Sequence, residues 1–185
     1  MEKNVAILDT TRNAAVLQSL ANMFERIANA EKKEWLPDYY AAYCNVNMSY
    51  TGKNDMIDTY CDKADMLIKK ADSLNPNNSE IYALKAQIAS ARISVNPMSR
   101  GQKYGTMAGE LREKAKTLDP TNPRTYYLEG TALFYTPPMF GGGKDKAKPS
   151  FEKALKLYET FKQDSTIDPN WGKGNAMYFL KQCDL

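Results

Sequence analysis

Apolar positions along this chain fall three and four apart in segment after segment, and no stretch alternates with the period of two that a half-buried strand requires. Val16, Leu17, Leu20, Phe24, Ile27 and Ala28 make one such stripe behind Thr10-Thr11, which read as the N-cap of a helix. The stripes themselves recur. Residues 40–78 moved along by 44 positions fall on residues 84–122, placing Ala42 on Ala86, Tyr60 on Tyr104, Ala64 on Ala108, Leu67 on Leu111 and Lys70-Ala71 on Lys114-Ala115. A third copy opens with Tyr126, Leu128 and Gly130 in the places of Tyr82, Leu84 and Ala86, and its second half arrives early as Ala147, Ala154 and Leu157. A period of this size marks a quasi-one-dimensional fold in which each unit buries its apolar face against its neighbours.

The recurring residues make each unit a helical hairpin. A small residue (Ala42, Ala86, Gly130) sits in the first helix, and pairs of alanines seven apart (Ala64 and Ala71, Ala108 and Ala115, Ala147 and Ala154) sit in the second. They let helix backbones approach closely, while Ile68, Leu74, Leu111, Leu118, Phe151 and Leu157 fill the remaining space. Each second helix then meets a proline signal: Asn75-Pro76-Asn77-Asn78, Asp119-Pro120-Thr121-Asn122 and Asp168-Pro169-Asn170. Proline cannot continue a helix, and the flanking Asn, Asp and Thr favour a turn and the next N-cap. The pattern predicts an all-α fold of about eight helices, near residues 10–32, 37–50, 54–74, 78–95, 101–118, 123–136, 145–164 and 171–183.

At these residues the chain resembles the tetratricopeptide repeat family. The A-x6-A-x2-L-x-[DN]-P pattern from Ala64 to Pro76, repeated from Ala108 to Pro120, is similar to the second helix and terminal turn of that motif. Tyr82 with Ala86, and Tyr126 with Gly130, look like the aromatic and small pair of a following first helix. The copies here are longer than the ~34 residues usual in that family. The resemblance implies a right-handed α-solenoid of antiparallel helix pairs in a single domain: a closing helix over 10–34, repeats over 35–78, 79–122 and 123–170, and a closing helix over 171–185. It also implies a concave face lined by first helices. Helical offsets place there Tyr39, Tyr43 and Asn47, then Glu80, Ala83, Gln87 and Ser90, then Arg124, Tyr127, Thr131, Phe134 and Tyr135. Such side chains suit an extended peptide, giving contact area or hydrogen bonds at modest ordering cost. The expectation is a non-enzymatic scaffold binding a protein or peptide; the alternative is a transport-associated carrier whose small ligand sits among Tyr127, Phe134 and Tyr135.

Composition changes this picture mainly by exclusion. The chain has 185 residues and no histidine, which removes Ser-His and Cys-His nucleophile pairs, imidazole bases and histidine metal sites together. Glu25, Glu31, Glu34, Asp38, Asp55, Asp58 and Asp62 are scattered as charged helix faces are, and an enzyme would need two such acids to converge. No cofactor and no metal are therefore expected; Cys44, Cys61 and Cys183 lack C-x2-C spacing. Cys44 and Cys61 flank the turn at Thr51-Gly52-Lys53-Asn54 symmetrically, so they read either as buried apolar thiols or as a bridge across a hairpin.

A net charge of +3 predicts no nucleic-acid surface, and lysines 144, 146, 148, 153 and 156 read as a solvated helix face. Gly141-Gly142-Gly143-Lys144 lacks the order of a phosphate-binding P-loop. The preceding Pro137-Pro138-Met139-Phe140 reads as a rigid exit with Met139 and Phe140 tucked against the stack, or with Phe140 reaching a partner. No apolar run is long enough to span a membrane. The polar start at Met1-Glu2-Lys3-Asn4 fits a mature chain relieved of an export signal, so an exported, periplasmic location is expected ahead of a cytoplasmic one.

Overall fold

The computed structural model describes residues 1–8, 10–51 and 54–185. Among them are nine α-helices and no strand: α1 Glu2–Leu8, α2 Ala14–Ala30, α3 Trp35–Thr51, α4 Ile57–Leu74, α5 Ser79–Ile93, α6 Pro97–Leu118, α7 Pro123–Tyr135, α8 Lys144–Thr160 and α9 Lys173–Cys183. Short 3-10 turns, Asn54–Met56 and Pro138–Phe140, precede α4 and α8. Gly52 and Lys53 of the expected first hairpin turn lie outside the described residues.

Eight helices stand where the apolar stripes place them, and α1 is an addition. Met1-Glu2-Lys3-Asn4 reads as a slack start, yet Val5 and Leu8 are buried and α1 packs on α2. The cap of α2 moves accordingly. Asn13, rather than Thr10 or Thr11, accepts the N–H groups of Ala15 and Val16 at 2.9 and 3.2 Å, and the Thr11 hydroxyl accepts the Asn13 N–H. The proline signals act as expected: Asn78 accepts the N–H of Glu80 at 2.8 Å, and Asn122 accepts that of Arg124 at 3.0 Å. Asn77 takes φ +59°, a left-handed conformation that asparagine tolerates at a turn.

Consecutive helices pair, α3 with α4, α5 with α6 and α7 with α8, and the first helices α3, α5 and α7 touch in series. At one end α2 packs on α3; at the other α9 packs on α8 and α7. The alanines that mark the repeat, Ala42, Ala64, Ala71, Ala86, Ala108, Ala115, Ala147 and Ala154, are all buried. Gly130 stands where the other units carry alanine because the Phe151 ring fills that space: a Cβ there would lie 2.7 Å from the ring.

Cys44 and Cys61 are buried free thiols, so of the two readings the core thiol describes the structure. Burial pushes both thiols up, Cys61 to about 11, and neither is a thiolate at neutral pH. The loop after α7 differs from expectation. Met139 and Phe140 are 82% and 72% exposed instead of tucked, because the Pro138–Phe140 turn carries them away from the stack. Gly141 and Gly143, at φ +84° and +109°, then bring the chain back into α8.

Because Phe151 closes on Gly130, Gly130→Ala should destabilise the protein by ~1–3 kcal/mol through overpacking, and Ala115→Leu should do the same in the second hairpin. Thermal unfolding reads the effect as a drop of ~2–4 °C per kcal/mol for a chain of this size. Unchanged melting in either variant would show that the helix contact has slack that the structure does not.

Candidate functional site

Four residues spaced 44 apart, Tyr39, Ala83, Tyr127 and Trp171, hold the same place in the repeat. The first three lie on α3, α5 and α7, whereas Trp171 precedes α9 and does not extend the series to a further unit. It turns back. Its indole N–H donates to the Tyr39 hydroxyl at 2.8 Å, its ring stacks on Tyr43 with centroids 4.8 Å apart, and it meets Tyr127 edge-on at 6.3 Å. Neighbouring bonds tie the same segment down. The Tyr158 hydroxyl donates to the Trp171 carbonyl at 2.7 Å, and the Tyr40 hydroxyl to that of Ile167 at 2.8 Å.

Arg124 lies within this junction with its side chain fully buried. Its guanidinium forms a two-pronged pair with Glu80, one repeat earlier, with Nε donating to Oε2 at 2.6 Å and Nη2 to Oε1. It also sits 4.4 Å over the Phe161 ring. Burial pushes the Glu80 carboxyl up, opposed by the Arg124 charge and by the Tyr39 hydroxyl. Burial likewise raises the phenols of Tyr39 and Tyr158. Desolvation opposes a charge pair of this kind, and the two charge-assisted hydrogen bonds offset that cost.

The structure therefore divides the residues expected on the concave face. Tyr39, Tyr43, Arg124 and Tyr127 converge on Trp171 and are buried. Gln87 is buried too, with its Oε1 unpartnered. Asn47 and Thr131 are half-buried and spend hydrogen bonds on their own helices, donating to the carbonyls of Tyr43 at 2.7 Å and Tyr127 at 2.9 Å. Ser90 is half-buried as well. Phe134 and Tyr135 stand apart from the junction, at the C-terminal end of α7. The period locates the first-helix face, but it does not reveal that Trp171 folds back onto Tyr39, Tyr43 and Tyr127.

What stays open is aromatic. Phe179 of α9 receives Phe134 at 5.2 Å, Tyr135 at 5.8 Å and, stacked beneath, Phe151 at 5.5 Å. Around it Tyr135 is 69% exposed and Tyr178, edge-on to Phe179, 59%. From α3, Tyr50 reaches over α5 and donates to the Gln87 carbonyl at 3.3 Å, with much of its ring exposed. Tyr50 and Tyr178 are absent from the sequence-based set. A signal for Tyr178 existed, because α9 buries Ala176 and packs Phe179 and Leu180 inward, which leaves a large aromatic on the polar side.

The opposite end of the first helices carries a cleft of ≈ 520 Å³. Trp35 and Phe161 form part of its wall, and Glu80, Asp119, Asp164 and Asp168 line it together with Lys162. Among the described residues no group of acids and thiols is placed to hold a metal ion, and no helix is long and apolar enough to cross a membrane.

No protein-family model, that of the tetratricopeptide repeat included, matches the chain, and no curated protein does. A solved structure does. The chain is similar to the HusA haemophore from Porphyromonas gingivalis, with 38% identity over 98% of this chain and 90% of that one and a TM-score of 0.89. The chain belongs to the family of that haemophore. The all-helical fold is thereby shared across both proteins, and the relative is a carrier, in agreement with the non-enzymatic reading of this chain. A ligand carrier fits this kinship better than the peptide scaffold expected from the repeat.

Arg124→Ala should cost ~3–5 kcal/mol of stability, since it strands Glu80 without its counter-charge. Tyr127→Ala, which empties a buried ring site beside Trp171, should cost a similar amount. Chemical denaturation with far-UV circular dichroism measures both. Wild-type midpoints would contradict the packing described here.

Proposed function

We propose that this chain is a haem carrier that holds the tetrapyrrole flat against the aromatic surface at the α7–α9 end. The single observation behind this reading is kinship with a haemophore at 38% identity over nearly the whole chain. The arrangement of side chains supports it. Tyr135, Tyr178 and Phe134 gather around Phe179 and offer ring faces and edges to a planar apolar ligand.

Electrostatics favours this surface over the cleft at the opposite end. Haem carries two carboxylates, and the ≈ 520 Å³ cleft presents Asp119, Asp164 and Asp168 against the single cation Lys162, an excess of negative charge that would repel them. With no histidine in the chain, iron ligation by imidazole is excluded, and capture rests on ring contacts and on the exposed Tyr135 and Tyr178. The peptide-scaffold reading loses support because Tyr39, Tyr43, Arg124 and Tyr127 are packed into the junction. The partner that suits a carrier is a receptor taking over the cargo, and an exported location suits both. In this reading the hairpins form one right-handed, tetratricopeptide-like stack of three units closed by α2 and α9.

Added to the protein, haem should give a saturable change in its Soret absorbance. Tyr135→Ala and Tyr178→Ala should each weaken binding by roughly three- to tenfold, the equivalent of ~0.5–1.5 kcal/mol for an aromatic contact, with melting unchanged because both rings are exposed. Absence of any saturable absorbance change in the wild type would end this reading. Unaltered affinity in both variants would move the site elsewhere.

A further inference from the structure

Most arginines near acids in this fold are spoken for. Arg92 is shared among Asp58, Asp62 and Asp65, Arg100 pairs with Asp58, and Arg124 with Glu80. Arg12, in the loop between α1 and α2, is placed differently. Its Nη2 donates to the Asn175 side-chain oxygen of α9 at 2.9 Å and its Nη1 to the Thr11 carbonyl at 3.0 Å. Both acceptors are neutral. Among the described residues Arg12 meets no carboxylate, and it is exposed. A guanidinium carries five N–H donors, so most of the fork remains available.

Its position is what gives the free charge meaning. Asn175 carries the guanidinium across to α9, three residues before Tyr178 and therefore on the same helix face. The Tyr127 hydroxyl lies at the same spot, within the influence of Asn175 and of the Arg12 charge, although burial still dominates and raises that phenol. Tyr127 in turn sits two helical turns before Phe134 and Tyr135 on α7. An N-terminal loop is thus tethered to the C-terminal helix, with a planar, charged fork bonded to α9 one helical turn before Tyr178. A tether made only to hold the loop would not require a cation, because a neutral donor satisfies Asn175 equally well.

We infer that Arg12 is a carboxylate-binding residue of the ligand site, selecting flat aromatic ligands that carry an acidic side arm. The inference rests on the haem-carrier reading, in which the acid is a propionate of the macrocycle. Tyrosines hold the apolar face of the ring while Arg12 takes the acid at its edge, so orientation is set by a charge-assisted, two-pronged contact. This division of work also gives the carrier a reason to bring its first loop and last helix together.

The test compares haem with haem dimethyl ester, in which both acids are capped, on wild-type protein and on Arg12→Ala. The wild type should bind both and prefer haem by about tenfold, a preference that shrinks at ~1 M salt as the charge contact is screened. Arg12→Ala should lose about tenfold in affinity for haem and nothing for the ester, and Arg12→Lys should recover only part of the loss. An equal loss for both ligands would reduce Arg12 to a loop tether and overturn the inference. So would unchanged haem binding in Arg12→Ala. A wild type that binds the ester and haem alike, indifferent to salt, refutes the carboxylate contact while leaving the carrier reading intact; a wild type that binds neither refutes the carrier reading, and the inference falls with it.

Discussion

The indole of Trp171 is the contact on which the arrangement of this protein depends. Its N–H reaches Tyr39 on the first hairpin while its carbonyl is held by Tyr158 on the last, so one residue joins the two ends of the helical series. A stack of hairpins is otherwise held only between nearest neighbours. The Trp171 contacts add a long-range closure, reinforced by the Tyr40 bond to Ile167 and by the Arg12 bond to Asn175. Because the returning segment lies over one end of the first-helix face, the aromatic residues there become core, and those at the other end become surface.

Charge follows the same division. At the covered end Arg124 is removed from water against Glu80 at the edge of the cleft, and the cleft's further carboxylates Asp119, Asp164 and Asp168 make that region acidic. At the open end Arg12 is the guanidinium held in place by neutral acceptors. The same residue type thus serves as a buried ion-paired group in one place and, among the described residues, as an exposed cation on neutral acceptors in the other.

Kinship with a haemophore accounts for features that a peptide groove leaves unexplained. An extended peptide needs a long open channel lined by hydrogen-bonding groups, whereas this face is shortened by its own C-terminal segment. A flat ligand needs one broad aromatic surface and an edge contact. The exposed rings around Phe179 form a surface of that kind, and the absence of histidine from the sequence is no obstacle to the proposed reading.

The sequence by itself determined the helical hairpins, their order and their close contacts, because each is local or periodic: alanines at Ala64, Ala71, Ala108 and Ala115, and proline signals followed by Asn78 and Asn122 caps. It also placed Tyr39, Tyr127 and Trp171 in one register. Only the tertiary structure decided that Trp171 folds back instead of continuing the series, that the buried Arg124 meets Glu80, that Tyr50 and Tyr178 stay exposed and that Arg12 bonds to α9. A repeat period describes how a unit meets its neighbour, and nothing in it records a contact between residues 132 positions apart. Which aromatic is core and which is surface depends on that distant closure, and so it became legible only once the chain was folded.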